Sequence, residues 1–179
     1  MKVIPTENPD VLIFEPRVFT DARGFFFEAF NRRLLGAHGL DFDFVQDNQS
    51  CSKCNVLRGL HYQVQKPQGK LVRVLSGKIF DVAVDCRRRS PFFGKSVHLI
   101  LSAENRQMLW VPIGFAHGFA VLSEAAEVLY KTTDFYAPEC ERTIRWDDAE
   151  LRIPWPIAQP ILSDKDRAGR AFAEADLFE

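Results

Sequence analysis

Residues Val56-Leu-Arg-Gly-Leu-His-Tyr-Gln63 set an arginine and a histidine three positions apart. Histidine is the side chain whose ordinary pKa, ~6.5, lets it take up a proton near neutrality. Arginine presents a planar fork that matches phosphate or carboxylate oxygens. Arg58 and His61 together offer a base beside an anion clamp, which is what proton abstraction from a phosphorylated substrate needs. Taken alone, the spacing more often marks a surface ion pair and a packed ring. A polar run, Gln46-Asp-Asn-Gln-Ser50, stands just upstream.

The elements that must position these residues read as strands. Leu71-Val-Arg-Val-Leu75 and Ile79-Phe-Asp-Val-Ala-Val84 are rich in β-branched residues and bracket the turn signal Ser76-Gly-Lys78. Val97–Leu101, Met108–Val111, Gly118–Leu122 and Val128–Thr132 continue the pattern, with polar or Gly/Pro breaks between them. Turns recurring every ~8–12 residues, without helical stretches between, predict an antiparallel sandwich or barrel. Helix is expected only around Asn31–Ala37 and after Ser163. The expected organisation is one β domain: an irregular arm over about 1–45, a core over about 46–155 and a tail over about 156–179.

A chain of 179 residues with 46% hydrophobic and 26% charged residues has material for a sizeable core and is not expected to be disordered. A net charge of -1 supplies no global field to recruit nucleic acid or an anionic membrane, so neither is an expected partner. No apolar run reaches membrane-spanning length, and the expected location is the cytoplasm. Cys51-x-x-Cys54 lacks the second pair that a four-cysteine zinc site requires. Free thiols in a reducing compartment are the expectation for it.

Eight short blocks, in order along the chain, resemble the dTDP-4-dehydrorhamnose 3,5-epimerase family. They are Asp21-Ala-Arg-Gly-Phe-Phe26, Gln46-Asp-Asn48, Leu57–Gln63, Gln68-Gly-Lys-Leu-Val-Arg73, Asp81–Asp85, Pro112–Gly118, Tyr130-Lys-Thr132 and Leu162–Asp166. The resemblance implies an all-β, cupin-type jelly-roll that forms a homodimer by strand exchange. It also implies conversion of dTDP-4-dehydro-6-deoxy-glucose to dTDP-4-dehydro-rhamnose, on the route to dTDP-L-rhamnose, with no cofactor.

That chemistry suits the residue types. A ketone at C4 acidifies the hydrogens at C3 and C5, and inversion needs a base on one face, an acid on the other and a cation near the ketone oxygen. By resemblance His61 is the base and Tyr130 the acid, a phenol of pKa ~10 being protonated at neutral pH. Asp166 would hold the His61 ring as a dyad, and Lys70 would stabilise the enolate oxygen. Each has an ordinary reading beside it: a strand-lining tyrosine, a solvated strand lysine and, for Asp166, the third residue of a Ser163-x-x-Asp166 helix cap.

Arg23, Glu28, Gln46, Asp47, Asn48, Arg58, His117, Glu141 and Lys165 match family positions that bind the nucleotide-sugar, and Tyr136 matches the aromatic that stacks on thymine.

Two departures qualify the match. Asn55 stands where the family has glycine, and asparagine tolerates the left-handed backbone a glycine there would serve. Metal-binding cupins carry His-x-His, whereas here the second position is Gln63, leaving His61 and His117 as the histidines of the relevant motifs. No metal site is expected. The competing readings are a single-centre epimerase or ketoisomerase on a related dTDP-keto sugar, a binding protein that has lost catalysis, and a metal-dependent oxygenase.

Overall fold

The chain opens with two short strands, β1 (Lys2–Pro5) and β2 (Leu12–Glu15), in the computed structural model, which describes residues 1–179. A hairpin of β3 (Val18–Asp21) and β4 (Gly24–Phe27) follows, then helix α1 (Arg32–Gly36). The main strands are β5 (Gln46–Lys53), β6 (Leu57–Gln63), β7 (Lys70–Ser76), β8 (Lys78–Asp85) and β9 (Ser96–Ser102). They continue with β10 (Met108–Val111), β11 (Phe115–Val121), β12 (Ala125–Thr132) and β13 (Glu141–Thr143), and a last helix, α2 (Asp164–Arg167), closes the order. No helix is long and apolar enough to cross a membrane.

The strands form two antiparallel sheets in the order β1-β2-β10-β7-β12-β5 and β13-β6-β11-β8-β9, with β3-β4 paired only to each other. This is the jelly-roll sandwich of the cupin type. The turn at Ser76–Lys78 is therefore no hairpin within one sheet: it carries the chain from one sheet to the other. Gly77 makes that crossing possible, since its φ is +77° and a Cβ there would lie 2.1 Å from the Ala125 carbonyl oxygen.

Side chains alternate across each strand, so one set fills the sandwich and the other covers its outer faces. Val72, Leu109 and Val128 of the first sheet meet Ile79, Phe119 and Val121 of the second in the interior. Outside the second sheet, Phe80, Val82 and Val84 pack under Ile144, Leu151 and Phe172 of the C-terminal segment. Outside the first, Leu71, Met108 and Trp110 pack with Phe14 and Leu35. Burying each such side chain contributes about 1.5–3 kcal/mol.

Both helices form where expected, and each is capped by a side chain. The Asn31 side chain accepts from the Arg33 and Leu34 N–H groups, and that of Ser163 from the Asp166 N–H.

The first 45 residues are less irregular than expected. β1 and β2 extend the six-stranded sheet, β2 pairing with β10. Their four-residue lengths, broken by Pro5, Pro9 and Pro16, conceal any alternation in the sequence. The polar run Gln46–Ser50 is likewise a strand, paired with β12 along its whole length. Its inward residues line a wet cavity, so no apolar period marks it. Asn55 has φ 63°, the left-handed conformation asparagine tolerates.

Candidate active site

At one end of the sandwich the apolar filling gives way to an open cavity of about 310 Å³. Five strands turn a polar residue inward there: Asn48 from β5, His61 from β6, Lys70 from β7, His117 from β11 and Tyr130 from β12. Four of the seventeen lining residues are hydrophobic, which suits a sugar and phosphates better than an apolar ligand.

His61 Nε2–H donates to Asp166 Oδ1 at 2.6 Å. An ionised carboxylate only accepts, so Nε2 carries the ring proton and Nδ1 is left to act as base. Burial lowers the His61 pKa below 6.5; the hydrogen bond and charge of Asp166 oppose that, and Lys165 and Lys70 add to it. Burial also works against the Asp166 carboxylate, but hydrogen bonds from His61, Ser163 and the Gly59 N–H outweigh it and hold the group down at about 2.

The cap and the dyad are not alternatives. Oδ1 serves His61 and the Gly59 N–H (3.2 Å), while Oδ2 accepts from the Ser163 hydroxyl (2.6 Å). Gly59 fits because its φ is +115° and a Cβ there would stand 2.6 Å from Gly118 Cα.

Lys70 is no solvated strand lysine. It is 8% exposed, and Nζ donates to the His61 carbonyl oxygen at 3.2 Å. Burial pulls its pKa down to about 8, against the opposing charges of Glu141 and Asp81. Tyr130 enters from the same sheet as Lys70, across from the sheet that carries His61, and burial, reinforced by Glu141, raises its pKa above 10 and keeps the phenol protonated.

His117 Nε2–H donates to Asp81 Oδ1 (2.9 Å), making a second, buried imidazole–carboxylate pair. Asp81 lies in one of the family blocks, outside the expected site residues, and its Oδ2 is buried with no partner. Gln63, at the position where metal-binding cupins carry histidine, spends its amide on the Lys66 and Phe135 carbonyls and the Ala137 N–H. No three His, Cys, Asp or Glu side chains converge as a metal-binding group.

At the cavity mouth Tyr136 is 50% exposed, and its hydroxyl donates to Glu141 Oε2 at 3.0 Å. Glu141 Oε1 accepts from Lys165 at 2.9 Å. Gln46, Asn48 and Arg58 also line the cavity, Arg58 with its Nε on the Ser52 hydroxyl.

Three expected residues lie elsewhere. The Asp47 side chain faces away from its neighbours Gln46 and Asn48, as strand alternation dictates, and pairs with Lys131 (2.9 Å). Arg23, 89% exposed, sits at the β3–β4 turn against Asp21, and Glu28 accepts from Asn31. Neither reaches this chain's cavity. Cys51 and Cys54 are exposed free thiols outside it.

Taking a proton from one face of a carbon and returning one to the other inverts that centre. Facing walls so equipped, on a jelly-roll frame, place the protein among the cupin-type epimerases of keto sugars. Residues 5–174 match the family model described as dTDP-4-dehydrorhamnose 3,5-epimerase. The chain belongs to that family.

It is 61% identical to the dTDP-4-dehydrorhamnose 3,5-epimerase of Pseudomonas aeruginosa over 180 residues, which is 99% of each chain. The crystal structure of dTDP-6-deoxy-D-glucose-3,5-epimerase from Legionella pneumophila, in complex with dTDP-4-keto-L-rhamnose, superposes with a TM-score of 0.95. That match has 50% identity and covers 98% of this chain and 94% of that one. A 3'-monoepimerase from Streptomyces bikiniensis, in complex with dTDP-quinovose, matches at a TM-score of 0.88 and 31% identity, covering 94% of this chain and 87% of that one.

Proposed function

We propose that the protein is a dTDP-4-dehydrorhamnose 3,5-epimerase in which His61 and Tyr130 work on opposite faces of one keto hexose. The observation that carries this reading is that an imidazole on β6 and a phenol on β12, in different sheets, line one cavity together with a buried lysine. His61 Nδ1 removes the proton at C3 or C5. The Lys70 ammonium stabilises the enolate oxygen, and Tyr130 returns a proton from the far side. Asp166 offsets the charge of the imidazolium. Solvent then reprotonates the phenolate and takes the proton from His61.

The nucleotide occupies the mouth. Thymine stacks on Tyr136, an interaction typically worth about 1–3 kcal/mol, and Arg58 and Lys165 meet the diphosphate. Arg23 and Glu28 serve the cavity of a second copy, delivered by the β3–β4 hairpin, whose Phe25 and Phe26 are 58% and 71% exposed. The dimer is therefore part of the reading. Arg23→Ala and His61→Asn chains, each weak alone, should regain activity when mixed.

The test is proton-exchange NMR in D2O with dTDP-4-dehydro-6-deoxy-glucose. Label at both C3 and C5 is expected. Label at one centre only identifies a single-centre epimerase and overturns the double inversion.

A further inference from the structure

A chain of hydrogen bonds runs along the rim of the cavity and joins the two sheets. On β5, Gln46 Nε2 donates to Asn48 Oδ1 (2.9 Å), and Gln46 Oε1 accepts from the Tyr136 backbone N–H (3.0 Å). The Tyr136 hydroxyl and the Lys165 ammonium then take one oxygen each of Glu141. Lys165 stands in α2 immediately before Asp166, whose carboxylate holds the His61 ring. A rim aromatic and the helix that carries the partner of the base are thus fastened to the two oxygens of one carboxylate.

Two features make this more than a surface ion pair. The Glu141 side chain is 16% exposed, so its charge is less screened than that of a surface pair. The helix it grips has four residues, too few to fix its own orientation without tertiary contacts.

From this geometry we propose that Glu141 is a positioning residue: it clasps Tyr136 to α2, so that seating a nucleobase on Tyr136 sets the orientation of the His61–Asp166 pair. The inference rests on the assignment of His61 as base and gives Glu141 and Lys165 a role beyond contact with the nucleotide. Binding of the remote nucleoside would then be converted into alignment at the reacting carbon, the use of binding energy that raises kcat rather than lowering KM alone.

The charged and titratable groups around His61 are Asp166 and Lys165 on α2, Lys70 on β7, Glu141 on β13, Tyr130 on β12, His117 on β11 and Arg58 on its own strand. Lys165 lowers the His61 pKa, and the attraction between the Glu141 carboxylate and the His61 ring acts with the opposite sign. Glu141→Gln leaves the ammonium unopposed, so the His61 pKa should fall. Lys165→Met leaves the carboxylate unopposed, so it should rise.

The deciding experiment follows the His61 ring nitrogens by NMR while dTDP, which lacks the sugar, is added to saturation. In the parent protein the ring signals shift. In Tyr136→Phe and in Lys165→Met, which cut the Glu141 link on either side, the response to dTDP is lost, and kcat falls roughly 2- to 30-fold, as expected for residues along a coupling network. A full dTDP response in either folded variant overturns the clasp. The base assignment is judged separately: if His61→Asn keeps C3 and C5 exchange, that reading fails whatever the rim does.

Discussion

Replacing Asp166 with asparagine keeps the outline of the side chain and removes the charge that holds His61. The carboxyl titrates at about 2 rather than 3.8, because the His61, Ser163 and Gly59 bonds outweigh the effect of burial. At about 1.4 kcal/mol per factor of ten, that corresponds to roughly 2–3 kcal/mol in favour of the ionised group in the folded chain. The shift is downward, so this stabilisation is fully present above about pH 4 and is lost as the pH falls through about 2. Asp166→Asn should therefore unfold at lower denaturant at neutral pH, with the difference from the parent shrinking in acid.

The same charge balances the imidazolium formed when His61 takes the substrate proton. Only the part of it that Asp166 shares with His61 bears on that step, so the slowing is at most roughly 30- to 160-fold. Deuterium uptake at C3 and C5 measures the rate, and denaturant unfolding the stability. Ser163→Ala is the control: it removes the cap, at about 1 kcal/mol, but leaves Oδ1 on His61, so exchange should continue at close to the parent rate. If Asp166→Asn loses stability yet exchanges at the parent rate, Asp166 is a helix cap and the dyad argument fails.

Four further outcomes are expected. His61→Asn should cut turnover by ~10²–10⁴, and near-normal deuterium uptake would remove it as the base. Tyr130→Phe should leave the melting temperature unchanged and abolish inversion at C5, and an unchanged C5 rate would point to another acid. In kcat/KM against pH, the acid limb should lie below 6.5, because burial lowers His61, and the alkaline limb should begin at about 8, where Lys70 loses its proton. Lys70→Arg, charged throughout, should remove the alkaline limb, and a limb that stays contradicts the Lys70 role. Gly59→Ala should cost about 3 kcal/mol or more in unfolding, since its Cβ would stand 2.6 Å from Gly118 Cα on a backbone at φ +115°.

Six of the strands with apolar buried faces were readable in the sequence, whereas β6 was not, although it buries Leu57, Leu60 and Tyr62. β7 through β12 announce themselves by short apolar runs between polar or Gly/Pro breaks, and α2 by its Ser163 cap. β5 did not, because its inner face is wet and its outer face solvated, so neither supplies an apolar period. The β1 and β2 strands are too short to show one.

At the site, the family resemblance identified residues that meet in one cavity, but strand alternation settled which could reach it. Asp47 lies between Gln46 and Asn48 and faces the other way. The partition of Asp166 between His61 and Ser163 depends on the separate directions of two oxygens, which no spacing rule encodes. Asp81 gave no signal of its own, since its partner His117 is brought opposite only by the pairing of β8 with β11.

The last strand ends at Thr143, whereas Asp166 belongs to the short helix beyond it. Synthesis from the N-terminus therefore completes every strand while the imidazole still lacks its carboxylate. A nascent or clipped molecule that ends before this helix has every strand and an imidazole without the carboxylate that orients it. Competence arrives when the final stretch docks, packing Phe172 beneath the second sheet and bringing the acid home to its histidine.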